Sequence, residues 1–404
     1  MSFLTGSVPS RYHPSALLTL PRKVHLVVPQ TSPGLLRTPL YHNHLVGAAQ
    51  MVPFAGWEMP LRYTSMLTEA RAVRATAGVF DVSHMARLEI SGPDASAFLE
   101  NVLTSHVTGL QPGRAAYGFL LNLNGGIIDD AVVLHLAGKS PHAPFLLVCN
   151  ASSREAVLGW LELQRSAYTR LEITDSTAAT AMIAIQGPES LEILARMTVT
   201  NLSEMRPFGG TRTSLSLPDQ RIVDAIVSRT GYTGELGFEI VLAAEAATSL
   251  WNSLIAAGAL PCGLGARDIL RLEAGLMLSG TDIGPKVTPF EAGLDRFIYL
   301  DKEVFIGRQA LLRQRTRGMQ TRLVGFHMLA KSIPRKGQSI LFAGLPIGEV
   351  TSGGYSPSLD IAIGLGYVSI EHSNRGTDLM IDTRGREVPA RVVKLPFYRR
   401  PKTL

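Results

Sequence analysis

Cysteine is nearly absent from this 404-residue chain: Cys149 and Cys262 are the only two. Two thiols cannot build a disulfide framework or a four-cysteine zinc site, so a reducing compartment is the default expectation. Acidic residues are missing from both ends. None precedes Glu58 and none follows Glu387, whereas Arg11, Arg22, Lys23 and Arg37 lie in the first stretch and Arg391, Lys394, Arg399, Arg400 and Lys402 in the last. The net charge of +6 therefore belongs to the ends, and residues 58–387 carry a net charge of −3. Such a body lacks the clustered basic face of a nucleic-acid binder. Long apolar runs are missing too. The longest uncharged stretch, Ala246 to Ala266, is interrupted by Ser, Asn, Pro and Gly, so no membrane span is expected.

Several signature motifs are also lacking. No G-x-G-x-x-G follows a strand, and there is no P-loop lysine, H-E-x-x-H or G-x-S-x-G. The ten histidines are scattered, and His42 and His44 have a spacing typical of neither zinc nor copper sites. A metal site, a flavin or nicotinamide fold and an α/β-hydrolase are all disfavoured.

What is present is apolar and rich in turns. Hydrophobic residues make up 46% of the chain and charged residues 18%, which describes a globular protein. The length calls for two or three domains. Residues 1–35 read as a separate leader, acid-free and without a helical period. They fit a disordered tail, the preferred reading, or an organelle transit peptide; six prolines from Pro9 to Pro39 count against a targeting helix. The corresponding locations are a bacterial cytoplasm and a mitochondrial matrix.

Two segments echo each other. Each is a short apolar strand, a Gly-Pro and an acid-started helix: Arg87-Leu-Glu-Ile-Ser-Gly-Pro-Asp and Ala181-Met-Ile-Ala-Ile-Gln-Gly-Pro-Glu. They suggest two related α+β subdomains within residues 36–300. Arg221–Ser228 and Gly237–Leu242 read as strands, and Ala243–Ala257 and Ala266–Leu276 as helices. A linker helix is expected within 301–320. From 321 to 404 short strands and turn signals, including a hairpin around Thr383-Arg-Gly-Arg, predict a small β-barrel.

Three polar clusters sit in these apolar surroundings. In Gly125-Gly-Ile-Ile-Asp-Asp-Ala-Val-Val, a two-glycine turn enters a strand on which Asp129 and Asp130 point to opposite faces. They are not expected to share a proton. A carboxylate in such a strand is costly unless something binds it, so Asp130 is either a satisfied structural acid or a functional one. In Thr230-Gly-Tyr-Thr-Gly-Glu-Leu-Gly-Phe-Glu-Ile, Glu239 alternates with Phe238 and Ile240 and reads as an exposed strand acid or a ligand contact. In Gly265-Ala-Arg-Asp-Ile-Leu-Arg, Arg267 and Arg271 share a helix face as carboxylate readers or as a surface ion-pair helix.

Together with Arg37-Thr-Pro-Leu-Tyr, Val52-Pro-Phe-Ala-Gly-Trp, Phe80-Asp-Val-Ser-His-Met, Thr288-Pro-Phe-Glu-Ala-Gly-Leu and Leu395-Pro-Phe-Tyr, these clusters resemble the T-protein family of the glycine cleavage system. The match runs in order from about residue 36 to the C-terminus. The resemblance implies a three-domain α+β cloverleaf, with two interleaved α+β subdomains and a C-terminal β-barrel. It implies an aminomethyltransferase whose partners are lipoylated H-protein and tetrahydrofolate, the acceptor substrate. Asp130 matches the family's catalytic aspartate. Glu239 and Arg267 match its folate-binding acid and base, Arg267 reading the glutamyl carboxylate, with Tyr117, Tyr232 and Tyr398 as further folate contacts. The competing readings are another folate-dependent one-carbon transferase or demethylase, and a non-enzymatic folate-binding relative. The latter is disfavoured because neither cysteine lies in a Lys-Gly-Cys-Tyr-type motif.

Overall fold

The computed structural model describes residues 34–137, 144–217 and 221–401. Residues 1–33 of the expected leader lie outside that set. The body contains two antiparallel sheets built to one plan. The five-stranded sheet runs Ala115–Leu121, Ile127–His135, Phe145–Cys149, Ala86–Ser91, Glu172–Asp175. The six-stranded sheet runs Gly210–Ser216, Ile222–Ser228, Gly237–Ala243, Thr180–Gln186, Gly78–Asp81, and adds the two-residue parallel strand Leu260–Pro261.

The two subdomains interleave by exchanging a strand. Gly78–Asp81 directly precedes Ala86–Ser91 in the chain yet pairs with Thr180–Gln186. Glu172–Asp175 precedes Thr180–Gln186 yet pairs with Ala86–Ser91. The sequence echo lies at the centre of this exchange. Gly92 and Gly187 both have positive φ, and a Cβ there would sit 2.2 Å from the Arg170 carbonyl and 2.3 Å from that of Thr76. Only glycine permits so close an approach to the chain entering the exchanged strand. Asp94 and Glu189 then each donate a backbone N–H to that same carbonyl.

The crossovers that carry the chain between sheets are tied by Arg87, which is fully buried. Its guanidinium donates to the carbonyls of Ser83 and Met85 on one crossover and of Thr177 and Thr180 on the other. A guanidinium suits this task because its planar donors reach several fixed acceptors at once. Apolar faces fill the sheets. Phe98, Leu88 and Val133 are buried in the first, and Ile183, Ile240 and Trp251 in the second. Each such side chain contributes about 1.5–3 kcal/mol by leaving water.

The helix expected from Ala243 begins at Ala247, because the strand continues through Ala243 and a 3-10 turn intervenes. The C-terminal strands close a six-stranded barrel from Thr321 to Val393. Two buried ion-pair groups fasten it to the helix Leu264–Glu273. Arg271 donates to Asp282 at 2.6 Å and to Ser352 on a barrel strand at 2.8 Å. Glu273 pairs with Arg74 and accepts from Ser356 and Ser358. Arg271 is 2% exposed, so the surface ion-pair alternative for this helix is excluded.

Candidate active site

The Gly-Gly turn is shaped by Asn122. Its Oδ1 accepts from the N–H groups of Asn124 and Gly126, and its Nδ2 donates to the Pro285 carbonyl. A Cβ on Gly126 would lie 1.9 Å from that carbonyl, which excludes every other residue. The turn feeds the strand Ile127–His135 between two neighbours, with a register shift that leaves Ile128 out of the pairing.

On that strand Asp129 is fully buried and Asp130 half-buried, facing opposite sides as the alternation requires. Facing apart, they nevertheless share a hydrogen-bond donor. Asn150, just past the neighbouring strand, reaches both: its Nδ2 lies 2.9 Å from Asp129 Oδ1 and 2.8 Å from Asp130 Oδ1. Asp129 also accepts from the Asn150 backbone and from Ser279 Oγ. Asp130 accepts from the Tyr117 hydroxyl on the other neighbouring strand. Burial, reinforced by the charge of Asp129, pushes the Asp130 carboxyl up to about 7. Burial and the adjacent Asp130 also hold the Tyr117 phenol well above its usual range. An acid poised near neutrality beside a fixed donor is suited to take up and release a proton.

The second side of the site comes from the other subdomain. Glu239, on the strand Gly237–Ala243, turns away from its core neighbours Phe238 and Ile240 and accepts from Thr230 Oγ1. It is half-buried rather than an exposed strand acid, and burial raises its pKa. Arg267 stands within its electrostatic reach, over the Tyr232 ring at 4.8 Å. Its hydrogen bond among the described residues goes to Met85 Sδ, at 3.6 Å, so most of its donors are unspent. Tyr232, anchored through its hydroxyl to the Met277 carbonyl, feels both Arg267 and Asp130. Asp130, Tyr117, Tyr232, Arg267 and Glu239 thus form one cluster drawn from both sheets.

Tyr398 lies elsewhere. Its ring covers Arg74 at 4.1 Å and its N–H donates to the Glu273 carbonyl, within the fastening of the barrel. Asn150, Met85 and His84 are the neighbours that sequence reasoning passed over. Burial, with the nearby Arg267, pushes His84 down to about 3, and its Nδ1 has no partner among the described residues. Two surface hollows, of about 370 Å³ along Glu89 and Arg212 and about 400 Å³ beside Tyr63 and Trp251, contain none of the clustered residues.

Two family models match this chain: the GCVT N-terminal domain over residues 40–302 and the glycine cleavage T-protein C-terminal barrel domain over residues 321–399. The chain belongs to the glycine cleavage T-protein family. It is 42% identical to the aminomethyltransferase of Moorella thermoacetica, over 91% of this chain and 99% of that one. It is 44% identical to the aminomethyltransferase of Rubrobacter xylanophilus, over 91% and 95%. The crystal structure of the glycine cleavage system aminomethyltransferase T from Bartonella henselae superposes with a TM-score of 0.84 at 34% identity, covering 91% of this chain and 99% of that one. The T-protein fold therefore carries the cluster at the junction of its two interleaved subdomains.

Proposed function

We infer that this chain is the aminomethyltransferase of a glycine cleavage system, acting in a bacterial cytoplasm, with lipoylated H-protein as donor and tetrahydrofolate as acceptor. The reaction breaks the bonds from the aminomethyl carbon to ammonia and to the lipoyl sulfur and makes two bonds from that carbon to folate nitrogens. The two protons that leave those nitrogens end on ammonia and on the lipoyl thiol. Asp130 accepts a proton from the attacking nitrogen and stabilises the positive charge that develops there. Tyr117 and Asn150 hold its two oxygens. Glu239 accepts paired N–H donors of the pterin ring, which a carboxylate can do in parallel. Arg267 binds a folate oxygen, and the Tyr232 ring supplies an apolar wall.

Support comes above all from Arg267, a half-buried guanidinium over the Tyr232 ring whose hydrogen bond among the described residues goes to Met85 Sδ rather than to a carboxylate. A half-buried cation so sparsely bonded fits a ligand that brings its own acceptors. The test is production of 5,10-methylenetetrahydrofolate from aminomethylated H-protein, with and without tetrahydrofolate. Turnover that does not depend on tetrahydrofolate, or its absence with the aminomethylated donor, would overturn the reading.

A further inference from the structure

The carboxamide of Asn150 lies between two carboxylates, and its two N–H bonds serve three acceptors: Asp129 Oδ1 at 2.9 Å, Asp130 Oδ1 at 2.8 Å and the Asp130 carbonyl at 3.2 Å. The backbone N–H of Asn150 goes to the second oxygen of Asp129, at 2.9 Å. Asp129 therefore grips Asn150 at two points and orients the amide toward Asp130. Asp129 is itself gripped from behind by Ser279, at 2.8 Å, which in turn contacts Ser153. This is more than a buried acid needs for its own solvation, because one of its donors is shared outward with the site.

We propose that Asp129 is a positioning residue for the transfer reaction, holding Asn150 so that its amide fixes the Asp130 carboxylate in place for proton transfer. The proposal rests on the assignment of Asp130 as the proton acceptor. The groups facing Asp130 are few. Asp129 is on its own strand, Tyr117 and Cys149 are on the flanking strands, and Tyr232 is on the loop opposite. Burial raises the Tyr117, Tyr232 and Cys149 groups, so they stay neutral through the working range. Tyr232 in turn faces Arg267, Arg271 and Asp282, and Cys149 faces Asp175. Asp129 is thus the charge nearest to Asp130 that a substitution can remove without touching the folate-facing side chains.

Two variants should move the acid limb of kcat/KM in opposite directions. Asp129→Asn removes the neighbouring charge, which lowers the proton affinity of Asp130; the limb should shift down by about one pH unit. Its amide also confronts the Asn150 N–H, so kcat at the optimum should fall about tenfold. Asn150→Ala leaves both carboxylates without their common donor, and the limb should shift up. KM for tetrahydrofolate should stay within about twofold in each. A purely structural Asp129 would lower the melting temperature without shifting either limb, and that result overturns the proposal. Should Asp129→Asn fail to fold, the upward shift in Asn150→Ala decides alone, and an unmoved limb there overturns it. Infrared titration of the carboxyl band that disappears in Asp130→Asn reads the same shifts without turnover. A chain inactive with aminomethylated H-protein would therefore sink the functional reading while the shifts still test the role of Asp129.

Discussion

The phenol of Tyr117 donates a 2.9 Å hydrogen bond to Oδ2 of Asp130. The bond favours the ionised carboxylate and opposes the upward push of burial and Asp129. Tyr117 packs on Phe119 and Phe297, with ring centroids 5.4 and 4.6 Å away, so the hydroxyl is held by a rigid aromatic wall. Tyr117→Phe keeps that wall and removes only the donor. The acid limb of kcat/KM should move to higher pH, with kcat at its optimum about tenfold lower. An unshifted pH profile in Tyr117→Phe would contradict the role given to this bond.

Glu239 and Arg267 are expected to act mainly in folate binding. On the proposed reading, Glu239→Gln and Arg267→Met each remove groups that would meet the ligand before and during reaction. KM for tetrahydrofolate should rise at least about tenfold, while kcat at saturation changes much less. Equilibrium titration with tetrahydrofolate separates the two effects; unchanged affinity in both variants would remove these residues from the folate site.

Stability of the barrel junction should depend on Arg271. Its loss in Arg271→Ala would leave the Asp282 carboxylate, whose side chain is wholly buried, without its counter-charge. Breaking a buried pair in this way costs about 3–5 kcal/mol. The exposed pair Arg196–Glu192 supplies the control, since Arg196→Ala should cost no more than about 0.5 kcal/mol. Urea unfolding of the two variants measures the difference, and equal losses would show that the junction is not held as described.

Much of this was readable from the residues, and what escaped did so for physical reasons. The glycine-led turns, the barrel hairpin Asp378–Asp382 with Glu387–Val393, and the two echoing strand–turn–helix units are local patterns, set by periodicity and turn chemistry. The exchange of Gly78–Asp81 and Glu172–Asp175 is a pairing between distant segments, on which local periodicity is silent. The same limit applies to side chains. Alternation separated Asp129 from Asp130 correctly, yet it carries no information about Asn150, which arrives from another strand and rejoins them. Arg271 has the spacing of a surface charge, and only the barrel packed over it makes it a buried partner of Asp282.

Acid stability should reveal Asp81. Burial opposes its charge, but hydrogen bonds from His44, Thr38 and Ser83 bring its pKa down from 3.8 to about 2. A carboxyl lowered on folding contributes stability that is fully present above its unfolded value and is lost as pH falls through the folded one. The wild type should therefore lose stability between pH values near 4 and 2, and Asp81→Asn should flatten that part of the curve. A parallel acid limb in both proteins would show that Asp81 is not the source.

Asp130→Asn bears most directly on the chemistry. The amide keeps the shape and can still accept from Tyr117 or Asn150, but it cannot take up the proton. In single turnover with aminomethylated H-protein and saturating tetrahydrofolate, the rate of methylenetetrahydrofolate formation should fall about 10²- to 10⁴-fold, with tetrahydrofolate affinity within about twofold of wild type. A near-normal rate, or a loss explained wholly by weaker tetrahydrofolate binding, would contradict the assignment of Asp130 as the proton acceptor.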